Sequence, residues 1–314
     1  MTIERKWLSD DVALKTDQGT WFGKSFVYPR VKTMGIPSKP EGTKHLYWQD
    51  DKACKIRVVN GKIERIVYVG QDDLLPVVKL VLAYDGSAYH GFQIQRRYKT
   101  VQGVISKVIS EIENEKMLVQ GASRTDAGVH ARYQVIHFPS KRDFSEDKWI
   151  RVLNTMLPED MLVLSASWMP PLFHSRYDTF KKAYVYTINK GVYDPFLRHL
   201  EWHTGPIDES RLKQRLSQFE GVHDFSSFSK GDKEDTIRHI QSIHVTNEKQ
   251  RLKIRIVGDG FLHHMVRYMV YEAAIGEEDI FSLLSNQEEK GALKNMAPAT
   301  GLCLDYIWYA YRSY

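Results

Sequence analysis

Between Gly121 and Ala131 the chain sets an arginine, an aspartate and a histidine among small residues, as Gly121-Ala122-Ser123-Arg124-Thr125-Asp126-Ala127-Gly128-Val129-His130-Ala131. These types suit covalent chemistry. A carboxylate can attack an electrophilic carbon, and a cation beside it keeps it ionised. Gly128 takes a positive φ at no steric cost, so Thr125-Asp126-Ala127-Gly128 reads as a tight turn that presents Asp126. In extended backbone Arg124 and Asp126 point to one side, because side chains alternate with period two. Plainer readings fit the same residues. Asp before Ala-Gly also makes an ordinary turn, and Arg-x-Asp an ordinary surface ion pair.

Such a turn needs strands to hold it. Met117-Leu118-Val119 precedes it and Tyr133 to Phe138 follows, both strand-like. Upstream, Val77 to Tyr84 is a nearly continuous apolar run, the mark of a buried strand. Asp85-Gly86-Ser87 turns the chain into a polar, basic loop, Tyr89-His90-Gly91-Phe92-Gln93-Ile94-Gln95-Arg96-Arg97. Thr100 then caps a helix with Val101, Val104, Ile105, Val108, Ile109 and Ile112 on one face. Ser145 caps a second helix, carrying Trp149, Val152, Leu153 and Met156, and Met161 to Met169 is a strand. The order β-α-β-β-α-β is that of a ferredoxin-like unit.

After Pro170-Pro171 a second half repeats the theme. Lys181 to Ile188 alternates as a strand with Tyr184 and Tyr186 on one face. Asp208 caps a helix using Leu212, Leu216 and Phe219. Strands are predicted at Ile237–Val245 and Arg251–Val257, a helix at Phe261–Ala274 and a last strand at Gly301–Tyr309. The expected architecture is α/β (α+β): two ferredoxin-like, RRM-like halves, 77–172 and 173–314, joining mainly antiparallel sheets around a central cleft. Residues 1–76 form a small β-rich extension, in which Asn60-Gly61 joins two strand-like runs as a hairpin.

With 42% hydrophobic and 26% charged residues over 314, the chain is a globular protein with room for a sizeable core. A net charge of +5 permits a polyanionic partner without requiring one. Cys54 and Cys303 are its two cysteines, so neither a disulfide framework nor a Cys-x-x-Cys zinc site is expected. No run approaches the ~18 apolar residues of a membrane span. The mixed-charge N-terminus is unlike a targeting peptide, and a cytoplasmic protein is expected. Gly258-Asp-Gly260 lacks the third glycine of a dinucleotide fingerprint, and no Walker A lysine motif occurs. His263 and His264, as neighbours on a helix, would point to different faces, so no metal site or cofactor is predicted.

The stretch from Gly121 to His130 resembles the signature loop of the tRNA pseudouridine synthase A family, Gly/Cys-Ala-Gly-Arg-Thr-Asp-x-Gly-Val-His/Ser. Ser123 stands where the bacterial pattern has glycine. The similarity runs in order from Lys79 to Tyr309. Tyr84-Asp85-Gly86-Ser87 and Tyr89 to Gln93 resemble the opening strand and loop, with Phe92 for the usual tryptophan and Ile94 for a usual arginine. Lys182 to Tyr186 resembles the basic-x-Tyr-x-Tyr strand, Gly221 to Phe228 the Asp-Phe-Ser/Thr-Ser-Phe segment, Phe261 to Arg267 the Phe-x-x-x-Met-Val-Arg helix, and Ala299 to Leu304 the last strand.

The resemblance implies isomerisation of uridine to pseudouridine in tRNA, in the anticodon arm, with Asp126 as covalent catalyst. It places Tyr184 against the target base and aims Arg267 at Asp126 or a phosphate. Arg124 would pair with Asp126 or a phosphate, or fill the space the flipped base leaves. Bacterial relatives imply a homodimer. Tyr89, Gln93, Arg96, Arg97, Lys99, His130 and Phe228 are the further candidates for holding RNA. The alternating Arg251, Lys253 and Arg255 offer a second basic face. Two rival readings are a catalytically silent RNA-binding module on the same fold and an aspartate-nucleophile hydrolase. The intact Arg124-Thr125-Asp126 speaks against the first, and the lack of a second catalytic carboxylate against the other.

Overall fold

The computed structural model describes residues 75–169, 173–230, 235–285 and 293–309 in full, and before them the backbone of five strands. The chain divides into two compact units. One comprises Met1–Val78, Pro139–Lys141 and Trp168–Asp178, and the other the remaining residues. In the first, strands β1 (Leu8–Thr16), β2 (Gly19–Phe22), β3 (His45–Gln49), β4 (Lys52–Val59) and β5 (Lys62–Val69) lie in the order β2-β1-β5-β4-β3. Val59 pairs with Lys62 across the antiparallel β4–β5 pair, which is the register of a two-residue hairpin over Asn60-Gly61. The extension is β-rich, as its sequence predicts. How its aromatic side chains pack lies outside the described residues.

A ten-stranded sheet organises the rest of the chain. Its first half holds β6 (Val77–Tyr84), β7 (Gln120–Gly121), β8 (His130–Pro139) and β9 (Met161–Met169). The second holds β10 (Thr179–Asn189), β11 (Trp202–His203), β12 (Gly221–Asp224), β13 (Ile237–Glu248), β14 (Arg251–Gly258) and β15 (Leu302–Tyr309). The main path is β12-β13-β14-β10-β15-β8-β6-β9, with β7 on β8 and β11 on β10. Each half therefore lies in the order fourth, first, third, second: β9-β6-β8-β7 and β15-β10-β14-β13. That is the strand order of the ferredoxin-like unit, twice over. The short β11 and β12 are additions that the sequence pattern does not reveal.

The two halves fuse where β15 runs parallel to β8, with Cys303 opposite His130 and Leu304 opposite Ala131. This seam puts the β7–β8 loop at the middle of the sheet instead of at an edge. The Met117–Val119 run, predicted as a strand, pairs with no strand among the described residues. Side chains of the neighbouring helix α1 (Val101–Glu113) take up its backbone groups instead. Met117 N donates to Ser110 Oγ (2.9 Å), Val119 N to Ser106 Oγ (3.3 Å), and Gln102 Nε2 donates to Val119 O (2.8 Å). Strand pairing is redundant once those groups are satisfied, so only Gln120 and Gly121 join β8.

The helix starts follow the predicted caps. Thr100 Oγ1 accepts from Gly103 N at the start of α1, and Ser145 Oγ from Lys148 N at the start of α2 (Glu146–Met156). Asp208 accepts from Ser210 N and Arg211 N at α3 (Glu209–Ser217). A side-chain oxygen of this kind satisfies amide donors that the first turn leaves open. The fourth helix departs from prediction. Instead of beginning at Phe261, α4 spans Met265–Ala274, and His264 caps it in the left-handed region at φ +66°. Of the stripe that periodicity predicts, Met265, Val266, Met269, Val270 and Ala273 are buried on α4, while Leu262, also buried, lies ahead of it. A short α5 (Ile280–Ser285) follows. Among the described residues no helix is long and apolar enough to cross a membrane.

Candidate active site

The β7–β8 loop is pinned from beneath. Gln134, fully buried on β8, accepts from Ser123 N (3.2 Å) and donates to Ser123 O (2.9 Å). Tyr84 and Thr125 join hydroxyls at 2.8 Å. Phe92 N donates to Thr125 O and Gly128 N to Tyr89 O, so the loop after β6 is laced to the signature loop through backbone. Gly91, at φ +84°, makes that approach feasible: a β-carbon there would sit 2.8 Å from Thr125 O. The turn closes one residue later than predicted, by Val129 N to Asp126 O at 3.1 Å, with Gly128 at φ +78°. Its effect is to fix the Asp126 backbone so that only its side chain is adjustable.

Three cationic or ionisable side chains surround the Asp126 carboxylate, which is 15% exposed. His263 Nε2 lies 3.6 Å from Oδ1, and His264 Nε2 and Arg267 Nη1 lie 3.6 and 3.8 Å from Oδ2. The Arg267 guanidinium is anchored, its Nε donating to Ala297 O at 2.7 Å. Burial raises the Asp126 pKa above the ordinary carboxylate range, while the charges of His263 and Arg267 pull it back in part. Burial, with His263 and Arg267 adding to it, lowers His264 to about 4, so that imidazole is neutral at physiological pH. His264 Nδ1 is buried without a hydrogen-bond partner. An unsatisfied buried nitrogen and a non-glycine residue at positive φ, both on His264, are costs that structures tolerate chiefly at functional sites.

Tyr184, on β10, completes the site. It is buried, lies edge-on to Phe261 at 5.1 Å, and its hydroxyl hydrogen-bonds the side chain of Ser123. Burial pushes that hydroxyl up to about 12, and the Asp126 charge adds to the rise. Ser123, the residue that departs from the bacterial pattern, is thus the link between the signature loop and Tyr184.

The other predicted residues separate into three groups. Asp126, Tyr184 and Arg267 come together although they lie on three distant segments. Arg124 is exposed and makes no ion pair among the described residues; the alternation argument that put it beside Asp126 fails because 124–126 is loop, where period two does not apply. Gln93, Arg96 and Arg97 are exposed on the loop laced to the signature turn, and Lys99 is half exposed, 3.6 Å from Asp160 and over the Tyr89 ring. Tyr89, His130 and Phe228 are buried. The Tyr89 hydroxyl donates to Asp160. His130 is braced by Gly86 N and Asp85 at Nδ1 and by His199 O at Nε2. Phe228 packs with Phe219 and Phe225. These three hold the fold around the site.

The basic face on β14 is neutralised where it stands: Arg251 pairs with Glu201, Lys253 with Glu248 and Arg255 with Asp305. Sequence reasoning missed His263 and His264. It placed both on a regular helix, whereas the left-handed turn at His264 brings the two rings within 3.8 Å of each other, over one carboxylate.

Arg267 makes a measurable demand on pH. Its charge lowers the Asp126 pKa, so in Arg267→Gln that pKa rises further and the ionised carboxylate is lost at a higher pH. The acid limb of kcat/KM in Arg267→Gln should move to higher pH, and the deficit should shrink as pH rises. A deficit equal at every pH would show that Arg267 does not tune Asp126.

Comparison with known proteins adds an independent line. A family model described as tRNA pseudouridine synthase matches residues 80–178 and 216–309. The tRNA pseudouridine synthase A of Maridesulfovibrio salexigens is 39% identical over 244 residues, 74% of this chain and 90% of that protein. The protein of the same name from Anoxybacillus flavithermus is 37% identical over 243 residues, 74% of this chain and 97% of that one. Among solved structures, a Cbf5-Nop10-Gar1 complex is a distant likeness, at 13% identity and a TM-score of 0.30 over 64% of this chain and 45% of that chain.

Proposed function

Because the chain belongs to the tRNA pseudouridine synthase family, we propose that it isomerises uridine to pseudouridine in tRNA, in the anticodon arm, with Asp126 as nucleophile. The observation that carries this is a largely buried carboxylate on a rigid loop, faced by one anchored guanidinium and flanked by a buried tyrosine. The reaction moves the glycosidic bond of uracil from nitrogen to carbon. It is redox-neutral and asks for no ATP, but it needs a nucleophile, a proton acceptor for the hydrogen on carbon five, and a nucleotide out of its stack. Asp126 supplies the first. Tyr184, protonated at physiological pH and pushed by burial up to about 12, offers an aromatic face and a hydroxyl that can relay the proton.

Arg96, Arg97 and Arg124, exposed on the two loops laced together at the site, hold the RNA backbone, with Lys99 and Gln93 beside them. The protein acts in the cytoplasm, and two copies pair, as the family resemblance implies.

The direct test is to incubate the protein with unmodified tRNA transcripts and map pseudouridine base by base. New pseudouridine in the anticodon arm is expected. A folded protein that binds tRNA and modifies none would be the silent RNA-binding module. Pseudouridine confined to another arm would remove the anticodon assignment.

A further inference from the structure

Asp126, His263 and His264 bring one ligand atom each into a cluster, all within 4.8 Å of one another. Two of the edges, from each Nε2 to the nearer carboxylate oxygen, are 3.6 Å. A tetrahedral ion bound at ~2.0–2.2 Å to nitrogen and oxygen needs edges of roughly 3.4 Å, and each imidazole stands within a few tenths of an ångström of that distance from one carboxylate oxygen, His263 from Oδ1 and His264 from Oδ2. His263 is half exposed and can close the remaining distance.

A second observation points to a ligand. His263 Nδ1 lies 3.2 Å from the backbone oxygen of Lys230, which can only accept. A ring held through one nitrogen by a backbone carbonyl, with its other nitrogen turned toward a carboxylate, is an arrangement in which proteins present histidine to metals.

We propose that Asp126, His263 and His264 form a binding site for a late first-row divalent cation, with zinc the best match to its one-carboxylate, two-imidazole donor set. The fourth corner is open on the exposed side of His263. Bound metal would occupy the lone pairs with which Asp126 attacks, so it would act as a reversible block and not as a cofactor. Arg267, tied to Ala297 O beside the same carboxylate, opposes a second cation and weakens its binding.

The test is zinc titration of the full chain without RNA, by calorimetry, with cobalt substitution to read coordination. One ion per chain is expected, with the intense visible bands of a four-coordinate cobalt site, and affinity should fall at least ~10-fold in His263→Ala and in Asp126→Asn. Both variants are to be checked for fold by circular dichroism. If either fails that check, the cobalt spectrum of the wild type decides. No saturable binding, an octahedral cobalt spectrum, or affinity unchanged in either folded variant overturns the site. The block rests on the proposed synthase activity and is tested apart from binding. Zinc should stop pseudouridine formation at the concentrations that fill the site, and a chelator should restore it. Turnover that persists with the site filled overturns the blocking role while leaving the site itself.

Discussion

Asp126→Asn should make no detectable pseudouridine, fold as the wild type does, and bind tRNA at least as tightly. The amide keeps the shape of the carboxylate but cannot attack carbon. Loss of the nucleophile should slow single-turnover isomerisation by ~10⁴-fold or more, roughly 5 kcal/mol of barrier. Folding should not suffer, because burial already raises the Asp126 pKa, meaning that the protein works against the charge it keeps there. Removing a negative charge beside anionic RNA can only favour binding. Turnover within about tenfold of wild type, ~1.4 kcal/mol, would rule Asp126 out as the nucleophile.

Tyr184→Phe carries the next largest effect. It keeps the ring in its edge contact with Phe261 and deletes only the hydroxyl that bonds Ser123. If that hydroxyl relays the proton from carbon five, the variant binds tRNA normally and turns over ~10²–10⁴-fold more slowly. Tyr184→Leu also removes the aromatic face and should weaken tRNA binding by a further ~1–3 kcal/mol, as loss of base stacking does. Binding and single-turnover rates measured on the same tRNA separate the two roles. A wild-type rate in Phe with impaired binding in Leu would leave Tyr184 as a stacking platform alone. Wild-type behaviour in both would make it a core residue of β10.

Much of this arrangement could be read before any coordinates. The caps Thr100, Ser145 and Asp208 each hold the helix they were expected to hold, because an N-cap is a contact between residues two or three apart. Val77–Tyr84 and the alternating Tyr184 and Tyr186 became strands of one sheet for a similarly local reason, their period. The Met117–Val119 run misled because its apolar character was real and its partners were not strands. Ser106, Ser110 and Gln102, on a helix, satisfied its backbone instead.

By itself, then, the sequence singled out Asp126 as the candidate nucleophile, the loop that carries it and the order of elements that support it, since each is written in neighbouring residues. It did not determine what faces Asp126. Arg124, two residues away, was the natural partner by alternation, yet the chain there is loop and turns Arg124 outward. Arg267, from α4, takes that place only because β15 fuses to β8 and brings the second half against the signature loop. His263 and His264 join it through one left-handed residue, a backbone state that local sequence does not announce for histidine. The charge environment of a carboxylate depends on what lies within a few ångströms, and among these residues that distance is set by the sheet seam and one helix start, not by separation along the chain.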